Sequence, residues 1–201
     1  MKRYYILGAG GLGRELCHWL ADAGLACAGF IDDNPDALAH HHGYPSVIGD
    51  TATCPIDLPI LCGIGQNVIR QLAVERLKAR GAHFASFIHP LAKVLPCTLG
   101  EGAVIAPFAY IGADATIGDF LFLQTGGVIG HDVQAGDFLR MDTTAFIGGF
   151  GKIGNTVTLH TGAKVMPGKT IGDACTIGAG SVVISNLRAG HTVFGVPAQK
   201  L

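Results

Sequence analysis

The chain has 201 residues, 49% hydrophobic and only 14% charged, with a net charge of −1. That is enough chain for one large or two small domains with a real core, and the near-neutral balance excludes a basic surface for nucleic acid or acidic membranes. Thirty glycines without a three-residue period exclude collagen, and six cysteines without CxxC spacing read as reduced, buried thiols, not a disulfide frame or a zinc knuckle.

The first residues, "MKRYYILGAGGLGRE", carry an apolar run too short and too glycine-rich for an export signal, and no later segment reaches the ~20 apolar residues of a membrane helix. A cytoplasmic protein is expected. "RYYILGAG" predicts a strand entering a glycine turn. "GRELCHWLADAG" predicts a helix with Leu16, Trp19, Leu20 and Ala23 at helical spacing, stopped by Gly24. Arg14 and Glu15 open that helix, where Glu15 favours the dipole and Arg14 is placed to help with a phosphate. "LACAGFIDD" and "LPILCGIG" predict two further strands. "NVIRQLAVERLKARG" predicts a second helix with Val68, Ile69, Leu72 and Leu77 on one side, and "HFASFIHP" a last strand before Pro90. Residues 1–87 thus form a small parallel α/β unit.

Within that unit "GAGGLG", Gly8 to Gly13, has the G-x-G-x-x-G spacing between a strand and a helix, and Asp32 and Asp33 end the next strand about twenty residues on. The glycines permit close backbone approach and the helix start attracts phosphate. A hydride-transfer enzyme is the obvious reading, but this unit is half of a doubly wound sheet, enough for a mononucleotide and not for a whole dinucleotide. One nucleotide carrying something else is the better ligand.

From residue 88 to 201 the period changes to six. Leu99, Ile105, Ile111, Ile117, Leu123, Ile129, Ala135, Met141, Ile147, Ile153, Leu159, Val165, Ile171, Ile177 and Val183 recur in phase, usually followed by Gly. Neither a helix nor an alternating strand has this beat. Hexapeptide units do, each giving a short strand and a turn, three to a triangular coil. Five coils fit between Leu99 and Arg188, and an extra unit, Ile88 to Val94, precedes them with its phase slipped by one residue.

His131 stands two positions after an inward aliphatic, on an outward corner with Asp132 beside it. Residues eighteen apart stack, so Gly149, Pro167 and Ser185 share its column, while Thr125, Thr143, Thr161 and Ala179 form a neighbouring column of small side chains that admits a long, thin ligand. A prism of this width has no concave pocket, so a second copy, most simply in a three-fold ring, has to supply the other wall. His131 suits a general base and Asp132 its orienting acid, although aspartates also recur at such turns (Asp114, Asp119, Asp137, Asp173) for structural reasons. His160 lies eighteen residues after Asp142, so the two can stack as a surface pair, and "HHH" at 40–42 reads as a solvated loop.

"GAGGLGRE", "IDDNP", "VIGHDV" and "FGVPAQK" together resemble the bacterial nucleotide-sugar and sialic-acid acetyltransferases, over essentially the whole chain. The resemblance implies a Rossmann-like N-terminal domain followed by a left-handed parallel β-helix, assembled as a homotrimer with active sites between subunits, working in polysaccharide biosynthesis. It implies acetyl transfer from acetyl-CoA to the amine of a nucleotide-linked sugar, often a 4-amino-4,6-dideoxy sugar, with no metal. His131 would then be the base and Asp132 the acid that increases its basicity. Gly10, Gly11, Leu12, Asp32, Asp33 and Gly65 would hold the nucleotide, and acetyl-CoA would lie along Thr161 and Ala179. Many members have a second histidine nine residues after the base, contacting the cofactor; here that position is Arg140, which would bind the cofactor through a CoA phosphate or carbonyl.

Three other readings share the scaffold. A metal-dependent hydratase of the γ-carbonic-anhydrase type needs three converging histidines, which the spacing does not supply. A non-catalytic rod leaves the glycine loop and the corner histidine unexplained. An O-acetyltransferase acting on a sialic-acid hydroxyl would use the same base, and the sequence does not separate it from the N-acetyltransferase.

Overall fold

The computed structural model describes all 201 residues, Met1–Leu201, and divides into two compact units, Met1–His89 and Pro90–Leu201.

In the first unit three strands, β1 (Arg3–Leu7), β2 (Ala26–Ile31) and β3 (Ile60–Cys62), form a parallel sheet in the order β2-β1-β3. Two helices, α1 (Gly11–Asp22) and α2 (Asn67–Ala79), complete it. β1 and β3 are almost wholly buried, as parallel strands covered on both faces require. α1 buries Leu16, Trp19 and Leu20 and ends before Gly24, whose φ of 70° suits a helix terminus. Glu15 lies beyond its first turn, which contains no acid.

α2 corrects the expectation. Its buried residues are Arg70, Ala73, Val74 and Leu77, while Val68, Ile69 and Leu72 are exposed. The helix packs one register round from its most aliphatic stripe, and Arg70 lies inside at 2% exposure. An arginine can do this because its stem is apolar. "HFASFIHP" is less than a full strand: Phe84 makes a single parallel bridge to Ile60, and Phe87–Ile88 is a separate two-residue element. All six cysteines are free thiols, with Cys54, Cys62 and Cys175 buried and the other three half-buried.

The second unit is a parallel β-solenoid of about six turns. One face stacks Val104–Ile105, Phe122–Leu123, Arg140–Met141, Thr158–Leu159 and Thr176–Ile177. The second stacks Lys93–Val94, Tyr110–Ile111, Val128–Ile129, Phe146–Ile147, Lys164–Val165 and Val182–Val183. The third runs from Thr98–Leu99 through Thr116–Ile117, Gln134–Ala135 and Lys152–Ile153 to Thr170–Ile171. Of the fifteen residues read in phase, all but the half-buried Leu99 are buried, and they form one core column with the alanines and valines of the turns. Lys93 and Val94 pair with Tyr110 and Ile111, the one-residue slip expected of the first unit. At the far end Thr192–Phe194 pairs antiparallel with Gln199–Lys200, which closes the last coil with a hairpin and shortens the open edge.

Each corner turns through a residue in the left-handed region. The position recurs every sixth residue from Gly102 to Gly180, and Asp132 occupies it with a φ of 57°. The corner after the third face carries a ladder. The Asp119 side chain accepts the Glu101 N–H at 2.9 Å, Asp137 accepts that of Asp119 at 2.8 Å, Asn155 that of Asp137 at 2.8 Å, and Asp173 that of Asn155 at 2.7 Å. These side-chain oxygens satisfy corner amides that the short strands leave over.

Candidate active site

His131 stands on the corner after the second face. Its Nδ1 lies 2.7 Å from Asp132 Oδ2, and both side chains are open to solvent, at 59% and 44% exposure. The left-handed backbone at Asp132 turns its carboxylate back onto the preceding ring. Asp132 is therefore not a ladder acid: Asp119, Asp137 and Asp173 spend an oxygen on a backbone amide, and Asp132 spends one on an imidazole. An ionised carboxylate accepts only, so Nδ1 carries the proton and Nε2 keeps its lone pair.

Two residues of the next coil place that lone pair. Gly149 stacks beside His131, and a Cβ there would come within 2.7 Å of Nε2 and 2.8 Å of Cε1. The imidazole lies directly over the glycine backbone. Phe150 meets the ring edge-on, centroids 4.9 Å apart at 90°. The eighteen-residue stack puts Gly149 in this column; nothing in the repeat marks Phe150, in the left-handed corner position with φ 60°, as the wall beside the ring.

The corner between the first and second faces holds Thr161 and Ala179, both exposed and small. Beside them is a charged cluster. Arg140 donates from Nε to Asp142 Oδ1 at 2.7 Å and from Nη2 to Oδ2 at 3.1 Å, and His160 Nδ1 lies 3.0 Å from the same Oδ2. Arg140 is thus committed to Asp142, and His160 does stack on it.

In the first unit one cavity of about 340 Å³ is lined by Gly10, Gly11, Leu12, Asp32, Asp33 and Gly65, together with Thr51, Gln66 and Ile69. Two neighbouring glycines are required by contact, whereas a Cβ on Gly10 or Gly11 would meet nothing within 4 Å: a Cβ on Gly13 would come within 1.9 Å of the Gly8 carbonyl oxygen, and one on Gly63 within 2.8 Å of the Gly13 Cα. Asp32 builds the wall, accepting the Ala9 N–H at 2.8 Å and the Asn34 N–H at 2.9 Å. Asp33 accepts both the amide and the hydroxyl of Thr51 at 2.9 Å, and its other oxygen lies 3.5 Å from Arg76. Arg14 folds back to the Ala9 carbonyl at 3.3 Å. The roles of Thr51 and Arg76 were not legible, because the partners lie 18 and 43 residues away across an irregular segment.

No cluster of histidine, cysteine or acid side chains is arranged to hold a metal ion, and no helix is long and apolar enough to cross a membrane. Burial pushes the thiols of Cys62, Cys97 and Cys175 up, away from the thiolate form a nucleophile needs.

Residues 3–77 match the PglD N-terminal domain family. Over its whole length the chain superposes on PerB from Caulobacter crescentus, solved with CoA and GDP-perosamine, at 31% identity, covering 98% of that chain with a TM-score of 0.92. The same enzyme, a GDP-perosamine N-acetyltransferase, has been crystallised with a histidine replaced by alanine or by asparagine. The acetyltransferase domain of PglB from Neisseria gonorrhoeae, in complex with acetyl coenzyme A, matches at 30% identity, 100% of this chain and 99% of that one, with a TM-score of 0.90. No curated protein sequence matches.

Proposed function

The chain belongs to the bacterial nucleotide-sugar acetyltransferases, and we propose that it moves the acetyl group of acetyl-CoA onto the amine of a nucleotide-linked amino sugar. The observation that carries this reading is the His131–Asp132 pair, set on a solenoid corner over a glycine in a chain similar from end to end to a GDP-perosamine N-acetyltransferase. An amine acceptor is favoured over a sialic-acid hydroxyl because the acceptor named for that enzyme is an amino sugar.

In this reading the amine attacks the thioester carbonyl while His131 Nε2 takes its proton. A C–N bond forms, the C–S bond breaks, and the proton returns to the departing thiolate. Asp132 orients the ring and stabilises its protonated form. The Gly149 N–H donates to no backbone carbonyl, so in this reading it is the corner amide that receives the developing oxyanion. The neighbours that touch His131 (Asp132, Gly149 and Phe150) carry no hydroxyl or thiol, which argues for direct transfer without a covalent acyl-enzyme.

The N-terminal unit, taken as Rossmann-like, holds the nucleotide through Gly10, Gly11, Leu12, Asp32, Asp33 and Gly65 around the 340 Å³ cavity. Acetyl-CoA lies along Thr161 and Ala179, with Arg140 on the same side. The solenoid is left-handed, against the general preference for right-handed crossovers, and three copies assemble so that each His131 faces a neighbour's small-residue corner. Release of CoA thiol from acetyl-CoA, measured with GDP-, UDP- and dTDP-linked 4-amino-4,6-dideoxy sugars and with sialic acid, tests this reading. One of the amino sugars should turn over, and His131→Ala should lose about 10²–10⁴-fold in kcat while keeping its CoA affinity. Undiminished turnover in that variant removes His131 from the mechanism.

A further inference from the structure

The Arg140–Asp142–His160 cluster stands on a different corner of the chain from His131, beside Thr161. Its side chains are unequally covered: Asp142 is 15% exposed, Arg140 25% and His160 41%. The imidazole is the part of the cluster most open to a ligand. Asp142 fixes what the ligand would meet. Its carboxylate accepts from Arg140 at both oxygens and from His160 at Oδ2, so the His160 proton sits on Nδ1 and a lone pair remains on Nε2. The result repeats at a second corner the imidazole–carboxylate geometry of His131 and Asp132. Around it the corner is bare: Thr161 follows in sequence, and Gly162, Ala179 and Gly180 complete the path along the column.

We propose that His160 binds the acyl donor by accepting a hydrogen bond from an amide N–H of the pantetheine arm, with Asp142 and Arg140 as positioning residues that hold it in the accepting tautomer. This rests on the reading that acetyl-CoA lies along the Thr161–Ala179 corner. The pantetheine arm is long, thin and carries amide N–H donors at intervals, which is the chemistry a fixed acceptor beside a small-residue groove recognises.

Asp142→Asn distinguishes this role from simple packing. The asparagine has one acceptor oxygen, and Arg140, which can only donate, claims it through the shorter 2.7 Å bond from Nε. The amide nitrogen then faces His160 Nδ1 and donates to it, the ring proton moves to Nε2, and the acceptor becomes a donor. CoA binding is measured by calorimetry on the full-length wild type, His160→Ala, His160→Gln and Asp142→Asn, with ¹⁵N spectra of the imidazole to report the tautomer. The wild type should show the Nδ1–H form. His160→Ala should weaken CoA about tenfold, Asp142→Asn should show Nε2–H and weaken CoA equally, and His160→Gln, which retains an acceptor oxygen, should recover part of the loss. Unchanged CoA affinity in His160→Ala, or a flipped tautomer without loss of affinity in Asp142→Asn, overturns the inference alone. A wild-type chain that binds no CoA overturns the acetyltransferase reading with it.

Discussion

Replacing Gly149 with alanine separates the stability of the solenoid from the placement of its histidine. The added Cβ would lie 2.7, 2.8 and 3.1 Å from His131 Nε2, Cε1 and Cδ2, and nothing else is as close. Ordinary contact at about 3.5 Å requires the ring to withdraw by about 0.8 Å. Phe150 closes one side at 4.9 Å between centroids, so the ring swings toward solvent and strains its 2.7 Å bond to Asp132. Folding is little affected, because Gly149 is not in the left-handed region and the clash falls on the free end of an exposed side chain. Reduced freedom in the unfolded chain should even raise stability by about 0.5 kcal/mol. A base misplaced by nearly an ångström costs about 100-fold in kcat, or about 2.7 kcal/mol. The assay is CoA release at saturating substrates beside thermal unfolding of the same preparation. A fall in kcat with Tm level or raised is expected. A kcat within twofold of wild type, with the alanine confirmed in place, would refute the claim that the glycine sets the imidazole's position.

The corner ladder and α2 offer tests of structure alone. Asn155→Ala leaves the Asp137 amide without its 2.8 Å acceptor and should lower stability by about 0.5–1.5 kcal/mol, while Asn155→Asp, which restores the residue type found at Asp119, Asp137 and Asp173, should restore most of it; equal losses in denaturant unfolding would refute the ladder. On α2, Val68→Lys and Leu72→Lys should each change stability by less than about 0.5 kcal/mol, since both side chains are exposed. Leu77→Ala on the buried face should cost about 2–5 kcal/mol. A large loss at Val68 or Leu72 would restore the helix face expected from the sequence.

The solenoid was legible because every coil puts the same kind of side chain against the same neighbour eighteen residues away. One physical demand, an aliphatic filling the prism, is thus written fifteen times. The α/β unit has no such redundancy. α2 misled because its polar Arg70 points inward and its aliphatic Val68, Ile69 and Leu72 point out, with Ile69 turned to line the nucleotide-sized cavity. Periodicity records which face is greasy, not which face is covered. The His131–Asp132 pair could be read as an anomaly in the repeat, but what separates Asp132 from the ladder acids is a bond partner, and bond partners at a corner are set by backbone turns that composition does not report. Likewise the Asp33–Thr51 bond joins the end of β2 to a loop with no pattern of its own.

A convex corner poses a problem that one chain cannot solve. With 59% of the His131 side chain open, water reaches the imidazole, and a lone prism offers no wall to exclude it or to press a thioester against Nε2. If a neighbouring copy supplies that wall, base and donor corner belong to different chains, and two broken proteins can mend each other. Neither His131→Ala nor Thr161→Trp, which fills the small-residue corner, should turn over alone. Co-expressed in equal amounts, they should form mixed trimers in which about one site in four joins an intact histidine to an intact corner, so about a quarter of wild-type activity returns. Were each site built within one chain, every mixed trimer would contain only defective sites, and co-expression would recover nothing.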